Sequence, residues 1–425
     1  MNKPSAAPGP SSVPLAITGI GCRLPAGIED SAALWSFLRR GGDAIRPVPA
    51  DRWSTRRFHD ANPGRAAKTY SPEAGFLDEL PMRFDATVFG LSPREAAHLD
   101  PQQRMLLETT WEACENAGQP IDQLRGSTTG VFMGGFTLDM MIMLLSPLNR
   151  ELISNHTATA ATMTMLANRI SYVFDLHGPS ITCDTACSSS LTAFHLACQS
   201  VWSGECERAI VGGANVMLRP EFPIAMSKGR FLAADGRCKT FDARADGYGR
   251  GEGAAVVIVK PLAEAQRDGD RIYAVVHGTG VNQDGQTPGI TLPNRESQEQ
   301  LMRDVYAKSG IDPQRIHYVE AHGTGTQAGD TTEAGAIGAV LGGDRPKDQP
   351  LLVGSVKTNF GHLEAGAGIL GIIKTALCLH HGEVPPHLHF ETPNPAIPFD
   401  RWGLSVPTST HSLPSDCLAA VNSFG

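Results

Sequence analysis

Long apolar runs are missing from this 425-residue chain. None approaches the ~18 residues of a membrane span, and no signal peptide opens it. A membrane partner is therefore not expected. No long basic run appears either, and 36 basic residues stand against 44 acidic ones, a net charge of −8. Nucleic acid and anionic surfaces are poor partners for such a chain. Aromatic residues make up only 6% and charged residues 19%, yet 41% of the chain is apolar. That composition excludes disorder and indicates a globular chain large enough to fold without staples. The nine cysteines are scattered and odd in number, which points to reduced thiols and a cytoplasmic protein, not a disulfide framework. No internal repeat is visible.

What is abundant is glycine, 45 residues, and proline, 30. These punctuate an alternation of short apolar strands and helical segments. Residues 1–12 read as a flexible leader. A strand begins at Leu15, and a helix follows over 31–40 with Ser31 as N-cap. Residues 42–82 read as surface loop, and 93–117 as one helix. Strands are expected at 130–134, 180–185, 208–217, 254–259, 272–278, 317–321 and 351–356. Helices are expected at 158–170, 188–203, 294–309 (Leu301, Val305 and Ala307 inward), 331–341 and 364–381. This alternation argues for an α/β architecture.

Three segments carry chemistry. Asp184-Thr-Ala-Cys187-Ser-Ser-Ser-Leu lies between a strand and an amphipathic helix, so Cys187 starts that helix among small residues. A helix start favours a thiolate and offers free amides to an oxyanion. A free thiol of pKa ~8.5 is only about 3% ionised at pH 7. Lowering the pKa to ~7 raises that about 15-fold, but the lost nucleophilicity leaves roughly threefold. Positioning and oxyanion stabilisation must then supply most of the rate. The same letters also fit a buried structural cysteine, and Cys183-x3-Cys187 is no zinc spacing. In Val319-Glu-Ala-His322-Gly-Thr-Gly-Thr326, His322 ends a strand, where α/β sheets bind ligands. In Ser355-Val-Lys357-Thr-Asn-Phe-Gly-His362, His362 precedes a helix. The helix start and Lys357 both favour a neutral imidazole there. Each histidine alone is more often structural than catalytic; with one cysteine they form a better case together.

Other patterns weigh less. Gly366-x-Gly368-x-x-Gly371 spells the dinucleotide fingerprint, but the preceding strand ends too early, so these glycines belong to helix packing. His380, His381, His387 and His389 are divided by Pro385 and Pro386, which argues against a metal site. Gly247-x-Gly249-x-Gly251-x-Gly253 reads as a tight turn more readily than as a phosphate nest.

Taken together, the three segments resemble the ketosynthase domain of type I polyketide synthases, members of the β-ketoacyl-acyl carrier protein synthases. The similarity runs from about Leu15 to Gly425. It includes Asp100-Pro-Gln-Gln-Arg104, Val281-Asn-Gln-Asp-Gly and Pro385-Pro-His-Leu-His-Phe-Glu-Thr-Pro-Asn-Pro. The resemblance implies a thiolase-like α/β fold with two pseudo-duplicated halves in α/β/α/β/α layers. The halves would cover about 13–265 and 266–425. It implies an acyltransferase that performs decarboxylative Claisen condensation in polyketide or fatty acid biosynthesis. Cys187 would carry the acyl chain, and His322 and His362 would stabilise the malonyl enolate. Lys357 would support them with Glu333 as its partner. Thr324 and Thr326 would bind the pantetheine arm, with Tyr248 and Phe424 as pocket wall or gate. No metal and no cofactor is implied within the domain, because substrates ride on the phosphopantetheine of an acyl carrier protein. A homodimer is implied, with acyltransferase and carrier domains downstream. A relative that binds acyl carriers without condensing them is the alternative, and its kind replaces the nucleophile or a histidine. Two departures stand out. The family continues Phe-Gly-Gly-Thr-Asn where this chain stops at Gly425, so the sequence reads as an N-terminal piece short of one oxyanion amide. Gly249 replaces a bulkier residue after Tyr248, which suggests a wider wall there.

Overall fold

The computed structural model describes residues 13–80, 84–343, 345, 346 and 348–425. The expected leader lies outside the described residues. Two sheets organise the chain. The first contains β1 (Leu15–Arg23), β2 (Gly130–Gly134), β3 (Ser180–Cys183), β4 (Ala209–Asn215), β5 (Gly253–Pro261) and β6 (Ala274–Val276), in the order β3-β2-β4-β5-β1-β6. Strands β3, β2 and β4 are parallel, whereas β4–β5, β5–β1 and β1–β6 are antiparallel. The second holds β7 (Ile316–Glu320), β8 (Leu351–Gly354), β9 (Leu404–Ser405) and β10 (Leu418–Val421), all parallel, in the order β9-β8-β7-β10.

Strand β5 shows why helices must cover both faces. Ala255, Val257 and Val259 enter the core between the sheets, while Ala254, Val256 and Ile258 enter a second core outside. A strand buried on both faces reads as a continuous apolar run. Each of its valines contributes roughly 1.5–3 kcal/mol by leaving water.

The outer face of the first sheet carries α2 (Pro101–Asn116) and α3 (Met165–Phe174), while α1 (Ser31–Arg39) packs at β1. Between the sheets lie α4 (Ser189–Ser203), against β2 and β4, and α7 (Ala367–His381), against β10. Helices α5 (Arg295–Ser309) and α6 (Gln327–Ile337) close the far face of the second sheet. The result is the five-layer α/β/α/β/α arrangement. Glycine sets the spacing of the middle layer: a Cβ on Gly368 would lie 2.7 Å from the Cβ of Leu191. Of the dinucleotide-like glycines, Gly368 thus brings α7 close to α4, while Gly366 faces Gly213 of β4 and Gly371 faces Glu320 and Val421 of the second sheet.

Several local expectations are corrected. Asp30, not Ser31, caps α1, its carboxylate accepting from the Ala33 amide at 2.7 Å. The expected helix over 93–117 breaks at Leu99-Asp100, because Asp100 and Pro101 start a new helix whose N-cap accepts from the Gln102 amide. On α5 the buried face is Gln298, Met302 and Tyr306, with Ala307 exposed. The stretch 42–82 is not only surface: Arg52 and Phe76 are buried, and Arg52 pairs with buried Glu252 at 2.8 Å. Among the described residues, no helix is long and apolar enough to cross a membrane.

Candidate active site

Strand β3 ends at Cys183, and a tight turn leads into α4 with Cys187 at its entry. Small polar residues build this turn. Asp184 Oδ1 accepts from the Ala186 amide at 2.9 Å, Ser189 Oγ accepts from the Thr185 amide at 2.9 Å, and Ser189 Oγ–H donates to the Ala186 carbonyl at 2.6 Å. Ala186 is left-handed, with φ 53°. That conformation is costly for a residue with a Cβ and persists because its neighbours over-determine it. Ser190 Oγ accepts from the Ile369 amide of α7 at 3.0 Å, so the helix start is also tied to the central layer.

The adjacent parallel strands β7 and β8 deliver the histidines. Beyond β7, the His322 and Gly323 amides each donate at 2.8 Å to one oxygen of Glu333 on α6. Beyond β8, a short helical turn over Lys357–Phe360 leads to His362. The His362 amide donates to the Gly249 carbonyl at 2.6 Å, and its carbonyl accepts from the Gly251 amide at 2.8 Å. The Glu364 amide donates to His362 Nδ1 at 3.0 Å. Nδ1 is therefore an acceptor, and the ring proton sits on Nε2, which is buried without a partner. The two imidazoles meet edge to face, centroids 5.4 Å apart. Tyr248 flanks His362 at 5.3 Å, and Phe424 flanks His322 at 5.7 Å. Ser423 Oγ–H donates to the Cys187 carbonyl at 3.0 Å, which joins the Cys187 turn to the histidine side.

Electrostatics fix the protonation states. Burial, reinforced by Lys357, holds both histidines well below the ordinary imidazole value. Both rest neutral at pH 7, as expected for His362, but burial and not a helix start is the main cause. Cys187 departs from expectation. Loss of water pushes its thiol up to about 12; Glu364 pushes the same way, and Lys357 opposes. A helix start does not outweigh that desolvation. Lys357 itself is buried and depressed by desolvation. Its expected partner Glu333 acts without a direct ion pair: the Glu333 oxygens accept from the two backbone amides and from Asn422 Nδ2 at 3.2 Å, while Glu333 still favours the charged Lys357 and Lys357 the ionised Glu333. The largest opposing influence on Lys357 is Glu320, which is buried and paired with Lys374 at 2.9 Å.

Known proteins share this sequence and fold. The family model described as Beta-ketoacyl synthase, N-terminal domain, matches residues 12–265, and that of the C-terminal domain matches residues 273–391. The chain belongs to the β-ketoacyl synthase family. Its members are acyl-transferring condensing enzymes, and this chain is of the polyketide-synthase ketosynthase type. It is 47% identical to the partially reducing polyketide synthase men1 of Menisporopsis theobromae, over 97% of this chain and 16% of that protein. It is 46% identical to a component of the phenolphthiocerol/phthiocerol polyketide synthase of Mycobacterium tuberculosis, over 97% of this chain and 22% of that protein. The chain thus spans about a sixth to a fifth of the curated relatives it matches. Among solved structures, the oxazolomycin ketosynthase domain OzmH KS7 of Streptomyces albus superposes with a TM-score of 0.91 at 37% identity, over 97% of this chain and 72% of that one.

In this ketosynthase the remaining site residues fall as follows. Thr324 and Thr326 sit side by side beyond His322, their hydroxyls 3.2 Å apart. Gly249 does not widen the wall. A Cβ there would overlap the Gly236 carbonyl, so the position is filled by backbone and glycine is required. The four grouped histidines do not converge: His380 and His381 meet edge to face but turn to Tyr273 and Trp35, His387 accepts from the Ser355 amide, and His389 lies 3.8 Å from Asp43. Sequence reasoning missed two buried ion pairs beneath the site, Glu320–Lys374 and Arg250–Glu364. The only available signal was a charged residue interrupting small or apolar runs, and 114 residues separate Arg250 from Glu364.

Proposed function

We propose that this ketosynthase performs decarboxylative Claisen condensation, with Cys187 as acyl carrier and His322 and His362 as enolate stabilisers. The observation that carries the reading is the pair of neutral imidazoles, one with an unpartnered Nε2–H beside its neighbour's ring. Two neutral donors suit an oxygen that gains negative charge and has no proton to take. In the first half-reaction, the Cys187 sulfur attacks an acyl thioester, and the pantetheine thiol leaves with the proton. In the second, a malonyl-type thioester loses CO2. The bonding pair moves into an enolate whose oxygen His322 and His362 hold. The enolate carbon attacks the acyl-Cys carbonyl, the C–S bond breaks, and the released Cys187 thiolate takes a proton from water. Lys357 reinforces the burial that keeps both histidines uncharged. Thr324 and Thr326 hold the pantetheine arm, Glu333 fixes the His322 turn, and Tyr248 and Phe424 wall the reaction chamber.

The substrates are those of an acyl carrier protein, and no cofactor beyond their phosphopantetheine takes part. The polyketide-synthase relatives support acyltransferase and carrier domains as partners. The reading extends to a cytoplasmic homodimer. The deciding experiment is incubation with an acyl-carrier thioester and mapping of the adduct by mass spectrometry. Acylation of Cys187 is expected; acylation chiefly at Cys183 or Cys198 would overturn it.

A further inference from the structure

The segment 248–251 grips His362 from several directions. The Tyr248 ring lies against it, and the Gly249 carbonyl and Gly251 amide bracket its backbone. Between those two glycines stands Arg250, whose Nε and Nη2 donate to the two oxygens of Glu364 at 2.6 and 2.7 Å. Both side chains are buried, at 3% and 1% exposure. Glu364 is also left-handed, with φ 47°. A residue with a Cβ holds that conformation only where its surroundings impose it. The Glu364 amide, turned by that conformation, is the one that donates to His362 Nδ1.

We infer that the Arg250–Glu364 pair is a positioning device that sets the tautomer of His362. The bidentate pair is rigid in two directions and anchors the Glu364 side chain. The anchored turn aims its N–H at Nδ1. With Nδ1 occupied as an acceptor, the ring proton can reside only on Nε2, the atom the condensation needs as donor. Without the anchor the turn relaxes, and the ring populates both tautomers. Neither residue touches substrate; both act through His362. The inference rests on the enolate-stabilising reading of His362, but tautomer and chemistry can be read separately.

The test uses Glu364→Ala and Glu364→Gln in the full chain. Three quantities are read: the His362 tautomer by ¹⁵N-histidine NMR, acyl loading of Cys187, and malonyl-thioester decarboxylation. The wild type should show a single Nε2–H form. Glu364→Ala should show a mixture, with decarboxylation about 10²-fold slower, while loading is not slowed, because the lost carboxylate is one that disfavours the Cys187 thiolate. Glu364→Gln, which keeps the shape but not the charge, should fall between. A folded Glu364→Ala protein that keeps the single Nε2–H form overturns the inference, and Glu364→Gln decides by the same criterion if the alanine variant does not fold. A mixed tautomer with wild-type decarboxylation upholds the positioning role and removes His362 from the enolate step.

Discussion

The nucleophile turn and the histidine turns solve the same problem by different means. Around Cys187, the supports are local: Asp184, Ser189 and Ser190 bond amides and carbonyls within a few residues or across one helix contact. Around His322 and His362, the supports are buried charges: Glu333, 11 residues from His322, Glu364, two residues from His362, and the Arg250 guanidinium, brought 114 residues to Glu364. On the proposed reading, the thiol must stay reachable by an acyl thioester, for which a light scaffold of hydroxyls suffices. The imidazoles must stay neutral and aimed, and only fixed charges and desolvation do that. If the proposed half-reactions divide between these two regions, their failures should be separable.

The strongest way to break that separation is Cys187→Ala. Acyl loading should vanish, while decarboxylation of a malonyl thioester should persist. Carrier-bound ¹⁴C-acyl transfer and CO2 release measure the two arms, and loss of both would mean the regions are one unit. Next, His322→Ala or His362→Ala should slow decarboxylation by about 10²–10³ and leave loading intact, since each removes one oxyanion donor. The two regions should also differ in pH response. Burial raises the Cys187 thiol to about 12, so its thiolate is the minority form and grows with pH. Alkylation of Cys187 by iodoacetamide should therefore rise about tenfold per unit from pH 7 to 9, with no plateau. The histidines have pKa values held well below the ordinary imidazole value, so both stay neutral and their charge does not change near neutral pH. Decarboxylation by Cys187→Ala should thus stay flat from pH 8 to 6. The smallest effect is expected for Thr324→Val, which deletes one hydroxyl bond worth about 1 kcal/mol. KM for the carrier substrate should rise about fivefold, with kcat little changed.

This contrast also explains what was legible in the sequence. Cys187, its small neighbours and the helix after it are contiguous, so the pattern could be read directly. So could His322, at a strand end and followed by Gly323, and His362, preceded by Gly361 and placed just before a helix. The strand–helix alternation was equally local, which is why most elements lie within a few residues of expectation. What escaped was long-range. Arg250–Glu364 and Glu320–Lys374 leave no spacing signal, because only the folded sheets bring them together. The direction of the Cys187 shift was misjudged for the same reason: desolvation depends on what the rest of the chain places around the sulfur. Gly249 was misjudged because the obstructing Gly236 carbonyl belongs to a different loop.

The close approach of Gly368 to Leu191 bears on how such domains can be recombined. The helix behind the nucleophile and the helix behind His362 touch with almost no side chain between them. A hybrid whose junction falls between α4 and α7 would mate two surfaces cut from different moulds, and any misfit of a methyl group would reach both half-reactions at once. The outer helices α2 and α5 have no such constraint at Cys187. Exchanging blocks that keep α4 and α7 from one parent, and drawing the outer layers from another, is the route by which a chimera keeps its chemistry while changing its surface.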